Sequence, residues 1–352
     1  MPSSDGLAAG ALALRLLLAL VPVQLFLAVL AALDTWRLVR PRRILAALLA
    51  GAAAAAVSYV ANNTLLALSG LGTVAFAVLV APLVEEAAKG AWSDWLVRTR
   101  RAGFLVDAAL LGFAAGAGFA TVENLYFLQA LPTAPLVVWT IRGLGTAVMH
   151  GGAAALFAIV RRALRDGPAR RLAWPAALLA AWLLHAGFNR LLAWPVPATA
   201  LLLVAVPAVL AVAHRLGERR LRTWLGRGFD RDSELLALIR SGEVRSSPLG
   251  RYLESLRSLA APATLVDMLC LLRLQAELAI RAKGGLLLAE QGFAPRPDPE
   301  LAAKLAEVRH LEQSIGRAGL LALRPVSPWR GPGRWQRHRL EEEAGSAGAG
   351  PR

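Results

Sequence analysis

The feature that most limits what this chain can fold into is a series of long apolar runs, separated by loops of alternating arginine content. A bilayer core takes roughly 20 apolar residues as a helix. Seven stretches approach or exceed that length, at about 8–33, 44–66, 71–97, 104–130, 136–160, 172–193 and 197–214. The loops "DTWRLVRPRR" (34–43), "RTRRAG" (98–103) and "RRALRDGPARR" (161–171) are rich in Arg, as is "HRLGERRLRTWLGR" (214–227). The intervening "NNT", "LPTAP" and "WPVP" turns carry no Lys or Arg. Clustered cations mark the cytoplasmic side, so the pattern predicts an N-terminus outside, a cytoplasmic C-terminus and a multi-pass protein of the plasma membrane.

The expected fold is therefore all-α: a polytopic transmembrane helix bundle of about seven spans over residues 1–216, followed by a small helical cytoplasmic region at 217–323. The apolar share of the chain is 56%, with mean hydropathy +0.50, but the long apolar runs stop near Gly217. Beyond it, 263–284 and 299–323 read as amphipathic helices, with Asp267, Arg273, Glu277 and Arg281 on one arc of the first. Residues 324–352, rich in Pro, Gly and Arg, read as a disordered tail. The formal net charge of +15 does not point to nucleic acid, because most Arg sits in short loops beside apolar runs; a lipid bilayer with anionic headgroups is the partner it suits. Cys270 is the single cysteine, which excludes an intramolecular disulfide and a cysteine-based zinc site. The first apolar run lacks a basic flank and exceeds the length of a secretory signal.

Against this background a few polar residues stand out, because a charge at mid-bilayer costs at least about 2.5–3.5 kcal/mol. The third run contains "APLVEEAAKGAW", with Glu85, Glu86 and Lys89. At 100° per residue these and Ser93 occupy about a quarter-turn of one helix. A Glu85–Lys89 pair is the structural reading, but one Lys cannot also neutralise Glu86. In the fourth run Gly112, Gly116 and Glu123 share a face, and small residues let a neighbouring helix approach closely. Glu123 could pair with Arg142. In the fifth run Gly143, Ala147, His150 and Ala154 line one face, and in the sixth His185 and Asn189 are four apart. Depth along each run allows Glu85, Glu123, His150 and His185 to meet in one cavity in the outer half of the bilayer.

Two imidazoles and a carboxylate suffice to hold Zn²⁺ with one position open. A further carboxylate could serve as general base, and a side-chain amide could donate to a developing oxyanion. That set permits amide hydrolysis in or beside the membrane. Buried Glu, Lys and His also make proton relays, so a transporter is the alternative, although no inverted repeat is visible. A non-catalytic scaffold, in which these residues only join helices, is the third reading.

The motifs "EEAAK", "GFAAGAGFATVENLYF", "MHG" and "HAGFN", in that order over residues 80–190, resemble the PrsW family of intramembrane metalloproteases. That family is related to the CAAX-prenyl and bacteriocin-processing proteases, with Glu-Glu-x-x-x-Arg, His and His-x-x-x-Asn in the same order. The resemblance implies a metal-dependent endopeptidase with a divalent metal, zinc in the first instance. It implies Glu85 as general base with Glu86 beside it, His150, His185 and Glu123 as metal ligands, and Asn189 as oxyanion donor. Lys89 stands one residue before the superfamily's Arg. Better-known members cleave membrane-bound anti-sigma factors from the extracytoplasmic side, so a membrane protein substrate of that regulatory kind is the implied partner.

Overall fold

The computed structural model describes residues 4–34, 36–257, 260–293, 298–329 and 333–347. It is 86% helical, with no strand among the described residues, as expected for an all-α bundle. The chain divides into two compact units, Met1–Asp34 with Leu38–Arg219, and Thr35–Arg37 with Arg220–Arg352.

The first unit holds α1 (Ser4–Ala32), α2 (Pro41–Ser69), α3 (Thr73–Ala75, a π segment Phe76–Val80, then Ala81–Arg98), α4 (Leu105–Ala130), α5 (Leu136–Ile141, a π segment Arg142–Thr146, then Ala147–Ala163), α6 (Ala173–Leu191) and the start of α7 (Pro195–Ser241). Six helices among the described residues are long and apolar enough to cross a membrane: α1, α2, α4, α5, α6 and α7. The seventh expected span is α3. It forms, but Glu85, Glu86, Lys89, Asp94 and Arg98 make it too polar to qualify on composition. Pro41 and Pro195 open their helices, where a missing N–H costs nothing.

Large apolar side chains such as Leu17, Leu25, Leu49, Val60, Leu183 and Val204 lie exposed on the helix exteriors. In water that surface would aggregate; in lipid it is solvated. The interior is built instead from small residues. α4 lies at the centre, with every residue from Leu105 to Ala120 buried. A β-carbon on Gly116 would collide with the backbone carbonyl of His150 on α5, and one on Gly118 with that of Leu48 on α2. Glycine is therefore what lets these backbones touch. The α4 N-terminus is closed by Asp107, whose carboxylate accepts from the backbone N–H groups of Gly103 (2.8 Å), Phe104 (2.8 Å) and Ala108 (2.9 Å).

The second unit comprises the end of α7 with α8 (Pro248–Ser255), α9 (Pro262–Glu290), α10 (Leu301–Leu323) and α11 (Arg334–Ala347). Its core joins Leu249, Met268, Leu272, Leu305, Val308 and Leu340, which is the pattern of a water-soluble helical domain. Helix α11 falls within residues 324–352, where composition leads to the expectation of disorder. Here Trp335 and Leu340 are buried. Arg337 pairs with Glu341 at 2.9 Å and with Glu312 at 2.8 Å. Tertiary burial overrides a weak local preference in this segment; residues 330–332 and 348–352 lie outside the described residues.

Candidate active site

Glu85, Glu86, Lys89, Glu123, Arg142, His150 and His185 gather in one cluster. On α3, Glu86 and Lys89 are fully buried and Glu85 partly so. Lys89 Nζ donates to Glu86 Oε1 at 2.5 Å. The alternative reading, a Glu85–Lys89 pair, is not what forms: the partner of Lys89 is Glu86, three residues back. Glu85 turns instead toward α2, where Asn62 Nδ2 donates to its Oε1 at 3.2 Å. Its other oxygen, Oε2, is buried with no hydrogen-bond partner among the described residues.

From α6, His185 Nδ1 donates to Glu86 Oε1 at 2.8 Å, and its Nε2 lies 3.8 Å from Glu85 Oε2. Fixing the proton on Nδ1 leaves Nε2 with a free lone pair, the arrangement by which a carboxylate orients a metal-binding histidine. From α5, His150 places Nδ1 3.0 Å from Lys89 Nζ and Nε2 3.0 Å from Glu123 Oε2. Its ring meets that of His185 edge-on, with centroids 4.8 Å apart, and packs against Phe119 at the same distance. Lys89 Nζ also sits 4.5 Å above the Phe119 ring. On α4, Glu123 is held by Arg142 at 3.1 Å, whose Nε donates to Asn124 at 2.9 Å. Asn124 in turn donates to the Ala19 carbonyl of α1 at 2.7 Å. The Glu123–Arg142 pair foreseen from the sequence is therefore present alongside the contact to His150.

One oxygen of Glu85 and one nitrogen each of His150 and His185 lie within 4.8 Å of one another. Ligand atoms bound at 2.0–2.2 Å in a tetrahedral site stand about 3.4 Å apart, so this triplet has the spacing to hold one ion after small adjustments. Two further observations fit a cation. The orphaned Glu85 Oε2 lacks the partner a buried carboxylate needs. The cluster also sets three carboxylates, Glu85, Glu86 and Glu123, against two cations, Lys89 and Arg142, so one negative charge is left for a bound cation to neutralise. In the arrangement described, Lys89 occupies the Nδ1 lone pair of His150, so loading an ion through that ring requires a hydrogen bond to yield.

Asn189, one turn beyond His185 on α6, makes no hydrogen bond to these groups among the described residues. Its Nδ2 donates to the backbone carbonyl of Ala77 on α3 at 3.0 Å. Sequence reasoning missed Asn62, an amide in the C-terminal part of α2 (Pro41–Ser69) whose position gave no sign that Glu85 would be its neighbour. It also missed the π segments, for which the nearest cues were Pro82 and the glycines of "RGLGT".

No curated protein and no solved structure matches the chain. Residues 40–213 match the model of a family described as PrsW family intramembrane metalloprotease, a stretch that runs from the start of α2 through the membrane part of α7 and takes in every residue of the cluster. The membrane-embedded part of this chain accordingly belongs to the PrsW family of intramembrane metalloproteases, hydrolases that act on peptide bonds.

Proposed function

We propose that the cluster on α3 to α6 is the hydrolytic centre and that Glu85, His150 and His185 hold its divalent metal, with zinc as the ion that suits two imidazoles and a carboxylate. The observation that carries this reading is the approach of those three donor atoms to within 4.8 Å from three separate helices. When bound, such an ion polarises a peptide carbonyl and brings a water toward ionisation near neutral pH. The chain's own groups do the rest. Glu86 keeps the His185 proton on Nδ1. Glu123, steadied by Arg142, orients His150 from the far side. Asn62 fixes the Glu85 carboxylate by one oxygen and leaves the other, Oε2, without a hydrogen bond, where it could either bind the ion or accept a proton from a water, one role at a time. The spacing of the donor atoms supports Glu85 in the ligand set, and the contact between Glu123 and His150 supports a positioning role for Glu123 in place of the ligand role its motif implied.

The substrate proposed is a membrane-anchored protein cut in or beside the outer leaflet, of the anti-sigma-factor-like regulatory kind. The alternating loop charge supports an outside N-terminus and a cytoplasmic second unit. Purified protein reconstituted with a single-span substrate tests the site. Glu85→Ala and His185→Ala are each expected to abolish cleavage and to lower bound metal, measured by elemental analysis, below half the wild-type stoichiometry. Wild-type cleavage by either variant would remove the assignment.

A further inference from the structure

The side chains of α6 meet α3 at a place where α3 is not a regular helix. In the π segment an amide bonds the carbonyl five residues back, and Ala81 N–H does so to Phe76. In the same register the next donor is residue 82, and the next acceptor is the Ala77 carbonyl. Residue 82 is proline, which has no N–H. The Ala77 carbonyl is therefore left without its helical donor, and Asn189 Nδ2 fills the vacancy at 3.0 Å. Two residues further on, the Leu79 carbonyl accepts from Trp182 Nε1 at 2.8 Å. Trp182, His185 and Asn189 follow the i, i+3, i+7 spacing and share one face of α6. That face grips the π turn with its two ends and engages Glu86 with its middle.

We propose that Trp182 and Asn189 are positioning residues that clamp the proline-interrupted turn of α3 and so set the rotation of Glu85 and Glu86 against the two histidines. The proposal rests on the reading of the cluster as the hydrolytic centre. It assigns Asn189 to α3 backbone and not to the substrate oxyanion. The physical lever is the extra residue of a π turn, which rotates everything after it by about 100° relative to an unbroken α-helix. A turn that relaxed would swing Glu86 off His185 and Glu85 off Asn62 together.

The two roles of Asn189 separate in a double-mutant cycle with Pro82, because Pro82→Ala supplies the N–H that Ala77 lacks. Cleavage of a single-span substrate is measured for wild type, Asn189→Ala, Pro82→Ala and the double variant. Amide exchange over residues 76–86 is followed in the same four proteins. A clamp predicts that Asn189→Ala lowers turnover about 5- to 100-fold with KM unchanged, the range for a backbone carbonyl left without a donor in an apolar surrounding. It predicts that exchange over 76–86 rises with it, and that both effects shrink several-fold when residue 82 is alanine. Trp182→Phe, which keeps the ring and loses the donor, should raise exchange in the same segment. An equal loss from Asn189→Ala in both backgrounds, with exchange over 76–86 unmoved, overturns the clamp and returns Asn189 to the substrate. Should Pro82→Ala silence cleavage by itself, the exchange comparison decides. Exchange reads the clamp even in a protein that cuts nothing, so failure of the hydrolytic reading and failure of the clamp are told apart.

Discussion

Lys89 shows how tightly the buried charges are matched. Its ammonium is the direct cationic partner of Glu86 and touches the Nδ1 face of His150. Removing one member of a buried pair leaves the other uncompensated and costs roughly 3–5 kcal/mol. Lys89→Met is therefore expected to lower the thermal midpoint of the bundle sharply, while the double change Lys89→Met with Glu86→Gln recovers part of the loss. A thermal scan in detergent measures both; equal midpoints for Lys89→Met and wild type would mean that the pair contributes nothing. The residue types at these positions could be read directly from the sequence, since a carboxylate in an apolar run always calls for a reason. Their partners could not. Glu85 and Lys89 lie on one helical face, yet the side chain of Glu85 finds Asn62 on another helix and leaves Lys89 to Glu86.

Two π segments precede the proposed site residues, Phe76–Val80 before Glu85 and Arg142–Thr146 before His150. π turns often sit at functional sites, because they change the phase of a helix without breaking it. Both lie on helices that pack through small residues. Gly116 marks one close approach between α4 and α5, with the His150 carbonyl in the space a side chain would need. Gly116→Ala forces backbone apart at the level of a proposed ligand. We expect at least a tenfold loss of cleavage, on the order of 1.4 kcal/mol, together with reduced thermal stability. Gly187→Ala, where a β-carbon meets nothing within 4 Å, is the control and should lose neither cleavage nor thermal stability, since alanine is the better helix former. Cleavage and thermal midpoint, measured for both, settle the matter; matching behaviour of the two variants would remove the role given to close packing. The small-residue faces of α4 and α5 were legible from spacing alone. The π turns were not, because hydrogen-bond register depends on which carbonyls a neighbouring helix can satisfy.

At the scale of the molecule, the membrane unit is held together by small-residue contacts and a polar centre, and the second unit by a conventional aliphatic core. A metal bound by residues from three helices stabilises the folded bundle by mass action, about 2.7 kcal/mol at a free concentration 100 times Kd. Chelation is therefore expected to lower the unfolding temperature of the membrane unit, and zinc to restore it. The same treatment should leave the second unit's transition in place, since none of the three proposed ligands belongs to it. Scanning calorimetry with and without chelator reads both; a membrane-unit transition indifferent to chelator would count against a resident ion. The sequence by itself determined the helical class, the number of apolar crossings within one, the motif residues and the family, because hydrophobic run length, charge alternation and residue type are local quantities. It did not determine that α3 carries a proline-interrupted π turn, that Asn189 serves a backbone carbonyl, or that residues 334–347 form a helix. Those outcomes depend on which groups other helices bring within a few ångströms, and hydrogen bonds and burial are satisfied by neighbours in space, which no single stretch of chain specifies.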